Sequence, residues 1–308
     1  MVTVKRRARP WPRRLTLGDV SLYVDVVGHG DPVLLMHGGP SADLWTLSTF
    51  RKLADQFTLV FYDHRCNGRS VGVPVSSMTW ENLVADAEAL RERFGFASWS
   101  VLGHSFGGHV ALEYVLRHPD RVSRLVLMDT GADSRWARNH APELLARRGV
   151  APEKVALVRR WFRGEFRPRQ YGPIMWRISS AYGGTAGLRG VARELAAGGW
   201  RSRIRPEALI HAGRELMPGW SVVDRLGEIE VPTLVIAGDQ DFVFPPECQA
   251  QLAQGIHGSQ LVLVEGAGHD PEDEQPALVL GVVRSFLSSD MGAPPRKRPS
   301  GAPPRTEA

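Results

Sequence analysis

Two cysteines in 308 residues, Cys66 and Cys248, leave no disulfide framework and no cysteine-based metal-ligand spacing. Long apolar runs are missing too: nothing approaches the ~18 residues that a membrane span needs. The stretch from Lys5 to Arg14 is basic, but no apolar segment of ~7–15 residues follows it. That absence argues against a secretory signal and against reading Arg6-Arg7 as a twin-arginine export signal. A cytoplasmic location is the default expectation. Internal repeats are also lacking.

Acidic residues are absent from residues 1–14, which carry six Lys/Arg. They are scarce in residues 292–308, where Arg296, Lys297, Arg298 and Arg305 face only Glu307. The formal net charge of +5 therefore belongs to the ends, and the body between them is net acidic. This excludes a folded basic face for specific nucleic-acid binding. Both ends read as disordered tails, 1–14 basic and 291–308 Pro-rich and basic.

What remains suits one large globular unit with an insertion. The hydrophobic fraction is 43%, enough to bury a full core. Residues 20–27 alternate like an antiparallel strand. Short continuous apolar runs follow at Val33–Met36, Thr58–Tyr62, Ser100–Leu102, Arg124–Met128, Thr233–Ala237 and Leu261–Val264. Such runs suit a parallel sheet buried on both faces. Helical stretches lie between them. Thr79 can cap one whose Leu83, Ala87, Leu90 and Phe94 share a face; others run from Phe106 to about His118 and from about Pro276 to Leu287. Alternating strands and helices predict an α/β sheet. Between Asp129 and Val231 the β signal lapses for about a hundred residues. That interval holds 18 Lys/Arg against 10 Asp/Glu and five of the nine Trp. It reads as a helical cap, 131–229, inserted into a core formed by 15–130 and 230–290. A cap there would cover the C-terminal sheet edge, where open α/β sheets bind ligands.

Gly103-His104-Ser105-Phe106-Gly107 matches the G-x-S-x-G elbow, with a strand before and a helix after. Small neighbours let the backbone turn tightly enough to thrust the Ser105 hydroxyl out of the sheet. The turn also sets the Phe106 N–H at a helix N-terminus, where it can face a developing oxyanion. A serine hydroxyl needs a base, and the base needs an orienting acid. For this elbow the expected chain order is Ser, acid, His. His269 lies on a loop after the last strand; His140, His211 and His257 are weaker candidates. Asp239 and Asp241 both follow the strand Thr233–Ala237, and Asp129 ends an earlier one. His37-Gly38-Gly39-Pro40 follows the strand Val33–Met36, where the glycine-rich oxyanion loop belongs. An amide of Gly38 or Gly39 would pair with that of Phe106. His37, His104 and His109 read as structural, since they fall outside the expected order.

In order and spacing, five segments resemble the prolyl iminopeptidase branch of the α/β hydrolases over about residues 20–290. They are His37-Gly38-Gly39-Pro40, Asp63-His64-Arg65-Cys66-Asn67-Gly68-Arg69-Ser70, the elbow, Gly238-x-x-Asp241-x-x-x-Pro245 and Gly268-His269. The resemblance implies an α/β-hydrolase fold: a mostly parallel central sheet, flanking helices and a helical cap. It implies a Ser105–Asp241–His269 triad and an oxyanion hole from Gly38, Gly39 and Phe106, with no metal or other cofactor. It also implies removal of an N-terminal residue, often proline, from short peptides.

The chain departs from the branch at three places. Ser41 and Cys66 stand where glycine is usual, and Phe242 stands where a glutamate often follows the acid. Phe242 cannot hold a substrate ammonium group. Glu194, Glu207 or Glu215 of the cap could supply that charge, and Trp176 an apolar wall. The expected activity is hydrolysis of a small amide or peptide. An esterase or lactonase acting on a small, even acidic, ester is the alternative, and a ligand-binding protein without turnover is the other class. No membrane partner is expected.

Overall fold

The computed structural model describes residues 11–182 and 201–289. Eight strands form one sheet: β1 (Arg13–Leu17), β2 (Val20–Gly28), β3 (Asp31–Met36), β4 (Phe57–Tyr62), β5 (Trp99–His104), β6 (Val122–Met128), β7 (Thr233–Gly238) and β8 (Gln260–Val264). Their spatial order is β1-β2-β4-β3-β5-β6-β7-β8. Strand β2 runs antiparallel to β1 and β4, and every pairing from β4 to β8 is parallel. The chain order reverses around β3, so β3 and β5 lie side by side with their C-terminal ends together. Ligands of open α/β sheets bind at such a switch point.

The continuous apolar strands are buried on both faces. Leu34 and Met36 pack into one core cluster, while Val33 and Leu35 pack into the other. Likewise Leu125 and Leu127 face one way, Val126 and Met128 the other. Helices Trp80–Phe94 and Phe106–Arg117 cover the first face, and Pro276–Ser288 covers the second. Thr79 does cap its helix, accepting a bond from the Asn82 N–H, and Gly95 closes the helix in the left-handed region.

The strand β1 corrects the reading of the start as a tail through residue 14. Arg13 and Arg14 pair with Val24 and Tyr23 of β2. Leu15 is buried while its neighbours Arg14 and Thr16 are exposed, a polar pattern typical of an edge strand. Between β6 and β7 the described residues contain no strand. They form helices Ala141–Arg147, Pro152–Phe162, Tyr171–Ile178 and Pro206–His211, with single π-turns at Trp136–His140 and Ala212–Leu216. Their apolar faces share a third cluster with Phe242, Val243 and Phe244, which seats this layer on the sheet edge. Among the described residues no helix is long and apolar enough to cross a membrane.

Candidate active site

Ser105 sits between β5 and the helix that starts at Phe106, with φ 52° and ψ −120°. Non-glycine residues held there store strain of order 1–3 kcal/mol, and such strain gathers at functional positions. Sterics explain the flanking glycine: a Cβ on Gly107 would lie 1.9 Å from the Met36 carbonyl oxygen. The close approach locks the elbow against the end of β3. Thr130 Oγ1 donates to the Ser105 carbonyl at 2.7 Å and braces the turn from β6.

Three side chains from separate loops meet at this point. His269 Nε2 lies 3.0 Å from Ser105 Oγ, and His269 Nδ1 lies 2.9 Å from Asp241 Oδ2. The other Asp241 oxygen accepts the Val243 N–H at 2.7 Å. All three residues are buried. The His269 N–H donates to the Tyr182 carbonyl, and its own carbonyl accepts from His104 Nε2 at 2.8 Å. The imidazole is therefore held along its backbone as well as at both ring nitrogens.

The rival residues take other places. Asp239 accepts the Gly266 N–H at 2.7 Å, which ties the β7 loop to the β8 loop. Asp129 accepts the Gly238 N–H at 2.9 Å and is fully buried. Burial first, then the Asp241 charge, push its carboxyl well above the usual range. Neither is bonded to His269. His211 bonds the Met78 carbonyl, while His140 and His257 are exposed. Burial lowers His37 to about 4, and His104 and His109 to about 3, so all three are neutral imidazoles at neutral pH.

Gly38, Gly39 and Phe106 line the same cavity as Ser105 and His269. A Cβ on Gly38 would come within 3.0 Å of both His104 and Ser105, so only glycine brings this loop so near Ser105. His37 Nδ1 donates to the Gly38 carbonyl at 2.8 Å, and His37 Nε2 accepts the His64 N–H. The Asp63–Ser70 segment buttresses this loop from behind. Asp63 accepts the Leu44 and Arg69 N–H groups. Arg69 pairs with buried Asp43 at 2.9 Å, and Asp43 also accepts from Ser202 and Arg203 at the end of the cap. Ser41, at a departure from the family pattern, bonds the Tyr171 hydroxyl of the cap at 3.0 Å.

The cavity measures about 360 Å³, at the small end of ligand sites. Trp161, Phe162, Tyr171, Met175, Phe244 and Leu209 supply much of its apolar wall. Here the structure corrects the cap expectations. Trp176 is 77% exposed and does not line the cavity; its helix turns Tyr171 and Met175 inward instead. Glu207 and Glu215 are exposed and also lie off the cavity. Glu194 lies outside the described residues. Phe242 is fully buried against Tyr182, ring to ring at 5.0 Å, and does not face the cavity. Two charged lining residues went unread in the sequence: Arg138 and Asp270. Asp270 follows His269 directly, and burial raises its carboxyl to about 6. Its place beside the histidine was a readable signal; for Arg138, one arginine among many, no such signal exists.

A profile of the alpha/beta hydrolase fold matches residues 31–276. The chain is 26% identical over 265 residues to a proline iminopeptidase, PfmaB, of Pestalotiopsis fici, covering 83% of this chain and 91% of that one. It is 29% identical over 267 residues to a pimeloyl-acyl-carrier-protein methyl ester esterase of Nitrosospira multiformis, covering 83% and 94%. A solved thermophilic esterase of Thermogutta terrifontis superposes with a TM-score of 0.71 at 26% identity, covering 89% and 98%. The match spans most of the chain, the eight-stranded, mostly parallel sheet agrees with it, and the chain belongs to the α/β-hydrolase fold family.

Proposed function

We propose that the protein is a serine hydrolase that cleaves a small, largely apolar acyl substrate through an acyl-enzyme. The observation that carries this reading is the bonded series Ser105–His269–Asp241 opening into the cavity. His269 takes the Ser105 proton as the hydroxyl attacks the carbonyl, and Asp241 holds the imidazole in the required tautomer. Amides of Phe106 and of Gly38 or Gly39 receive the oxyanion; one such donor is worth ~3–4 kcal/mol in the transition state. His269 then protonates the leaving group and activates water for the second half.

An ester or lactone bond fits the cavity better than an N-terminal peptide bond. Phe242, Glu207 and Glu215 provide no carboxylate to a substrate ammonium group there. One feature favours the aminopeptidase reading: Asp270 lines the cavity beside His269 and is ionised at neutral pH. The named relatives include both a peptidase and an esterase, so they do not choose between the two.

Proline β-naphthylamide and p-nitrophenyl butyrate, each offered to wild type and Ser105→Ala, separate the readings. The expected outcome is ester turnover, lost by roughly a thousandfold or more in Ser105→Ala. Turnover of the prolyl amide alone would restore the aminopeptidase. Ester hydrolysis that survives in Ser105→Ala would remove Ser105 from the chemistry.

A further inference from the structure

Arg138 is the sole Lys or Arg among the described residues that line the catalytic cavity. It lies on the π-turn Trp136–His140, and isolated π-turns gather at functional sites. Its Nη1 donates to two carbonyls, that of Phe162 at 3.2 Å and that of Gly213. Phe162 ends one cap helix and Gly213 lies in the second π-turn; both also line the cavity. These bonds fix the plane of the guanidinium. They leave Nε and Nη2 without a protein partner among the described residues.

No carboxylate of the described residues lies within ion-pair distance of Arg138. Asp270, the cavity's acid, is beyond that reach. Arg163 and Glu165 act on Arg138 only through longer-range charge, while burial and Arg163 together weaken its hold on its proton. A part-buried guanidinium without a counter-charge is costly. A carboxylate placed against its free edge would remove that cost with two parallel bonds, the geometry that suits arginine best. The buried histidines of the cavity, His104 and His109, are neutral at neutral pH and offer no competing cation.

We propose that Arg138 is a specificity-determining residue: it selects substrates carrying a carboxylate remote from the bond that Ser105 attacks. The proposal rests on the serine-hydrolase reading above. The substrate class is then a monoester or monoamide of a small dicarboxylic acid, or an ester whose leaving group bears the acid.

Three esters test this. Mono-4-nitrophenyl glutarate carries the carboxylate on the acyl side, 4-butyryloxybenzoate carries it on the leaving group, and 4-nitrophenyl butyrate lacks it. Each is offered to wild type, Arg138→Gln and Arg138→Lys. The ratio of kcat/KM for at least one acidic ester over the neutral one is expected to fall by about tenfold or more in Arg138→Gln. Partial recovery is expected in Arg138→Lys. Rates that fall together with the ratio unaltered would make Arg138 a structural tie and overturn the proposal. If Arg138→Gln does not fold, Arg138→Lys carries the comparison.

Binding of glutarate to Ser105→Ala, followed by calorimetry, provides a readout free of turnover. Saturable binding that disappears when Arg138→Gln is added supports the proposal, and no binding overturns it. Failure of the hydrolase reading looks different: wild type would turn over none of the three esters, and the glutarate titration would still decide on Arg138.

Discussion

At Asp241 one carboxylate does what two neighbours of the same type do not. Asp239, Asp241 and Asp129 all stand at strand ends near the site, and local sequence chemistry does not separate them. The fold does, since Asp241 alone of the three reaches the His269 ring, while the others cap backbone N–H groups. Asp241→Asn should therefore reduce kcat for p-nitrophenyl butyrate by up to ~10⁴-fold, because the amide favours the wrong imidazole tautomer. Asp239→Asn should reduce it by less than about tenfold. Equal losses in the two variants would show that the orienting acid is shared or misassigned. Ser105 and His269 were legible because motif and chain order restrict them strongly. Asp270 had a signal in its place beside His269 that went unread, whereas Arg138 had none, since its relevance depends on which side of its turn faces the cavity.

Among the elements, the Asp63–Ser70 segment shows how a turn can serve a site it does not enter. Arg65 reaches Asp86 of helix Trp80–Phe94 through two bonds of 2.7 and 2.6 Å, and both side chains are buried. That pair anchors the segment while Asp63 and Arg69 hold the loop that carries Gly38 and Gly39. Cys66, next to the anchor, adopts φ 64°, in the left-handed region. This gives a physical reason for the glycine usual at that position. A side chain there costs ~1–2 kcal/mol, against roughly 0.5–1 kcal/mol of added unfolded-state entropy for glycine. Cys66→Gly should then raise stability by about 0.5–1 kcal/mol in urea unfolding, with the catalytic rate retained. A lower midpoint would mean that the weak thiol contacts to Pro74 and Ser77 outweigh the backbone strain.

For the molecule as a whole, buried titratable groups set how stability varies with pH. Burial pushes Asp63 up to about 7, Asp270 to about 6 and Asp129 well above its ordinary value. Burial also lowers His37 to about 4, His104 and His109 to about 3, and His64 well below its usual value. A carboxyl raised on folding contributes stability that is full below its unfolded value near 4 and is lost as pH rises through the folded value. A histidine lowered on folding contributes stability that is full above ~6.5 and is lost as pH falls. The two sets oppose each other between about pH 4 and 6.5. Above pH 7 these histidines are neutral in both states and Asp270 is ionised in both. Asp63, at about 7 when folded, and Asp129, raised on folding, each bind more protons folded than unfolded as pH rises from about 4, so both make stability decline with rising pH. Asp129→Asn keeps the acceptor for the Gly238 N–H and removes the titration. Its urea midpoint should fall less than that of wild type as pH rises from about 4. Parallel curves would show that Asp129 is not the group responsible.

The sequence alone determined the sheet, the elbow and the chain order in which Ser105, the aspartates after β7 and His269 occur. These depend on short-range rules: apolar runs that must be buried on two faces, small residues where a turn allows no side chain, and a fixed chain order for one constellation. It also determined that the chain's positive charge lies at its ends. The family resemblance already pointed to Asp241, and the fold bonds it, rather than Asp129 or Asp239, to His269; the fold also starts β1 at Arg13. Only it turned Glu207, Glu215 and Trp176 away from the cavity and brought Arg138 and Asp270 to it. The physical reason is common to these cases. Which residue points into a shared space is set by helix rotation and layer packing, and those are fixed by contacts between residues far apart in the chain.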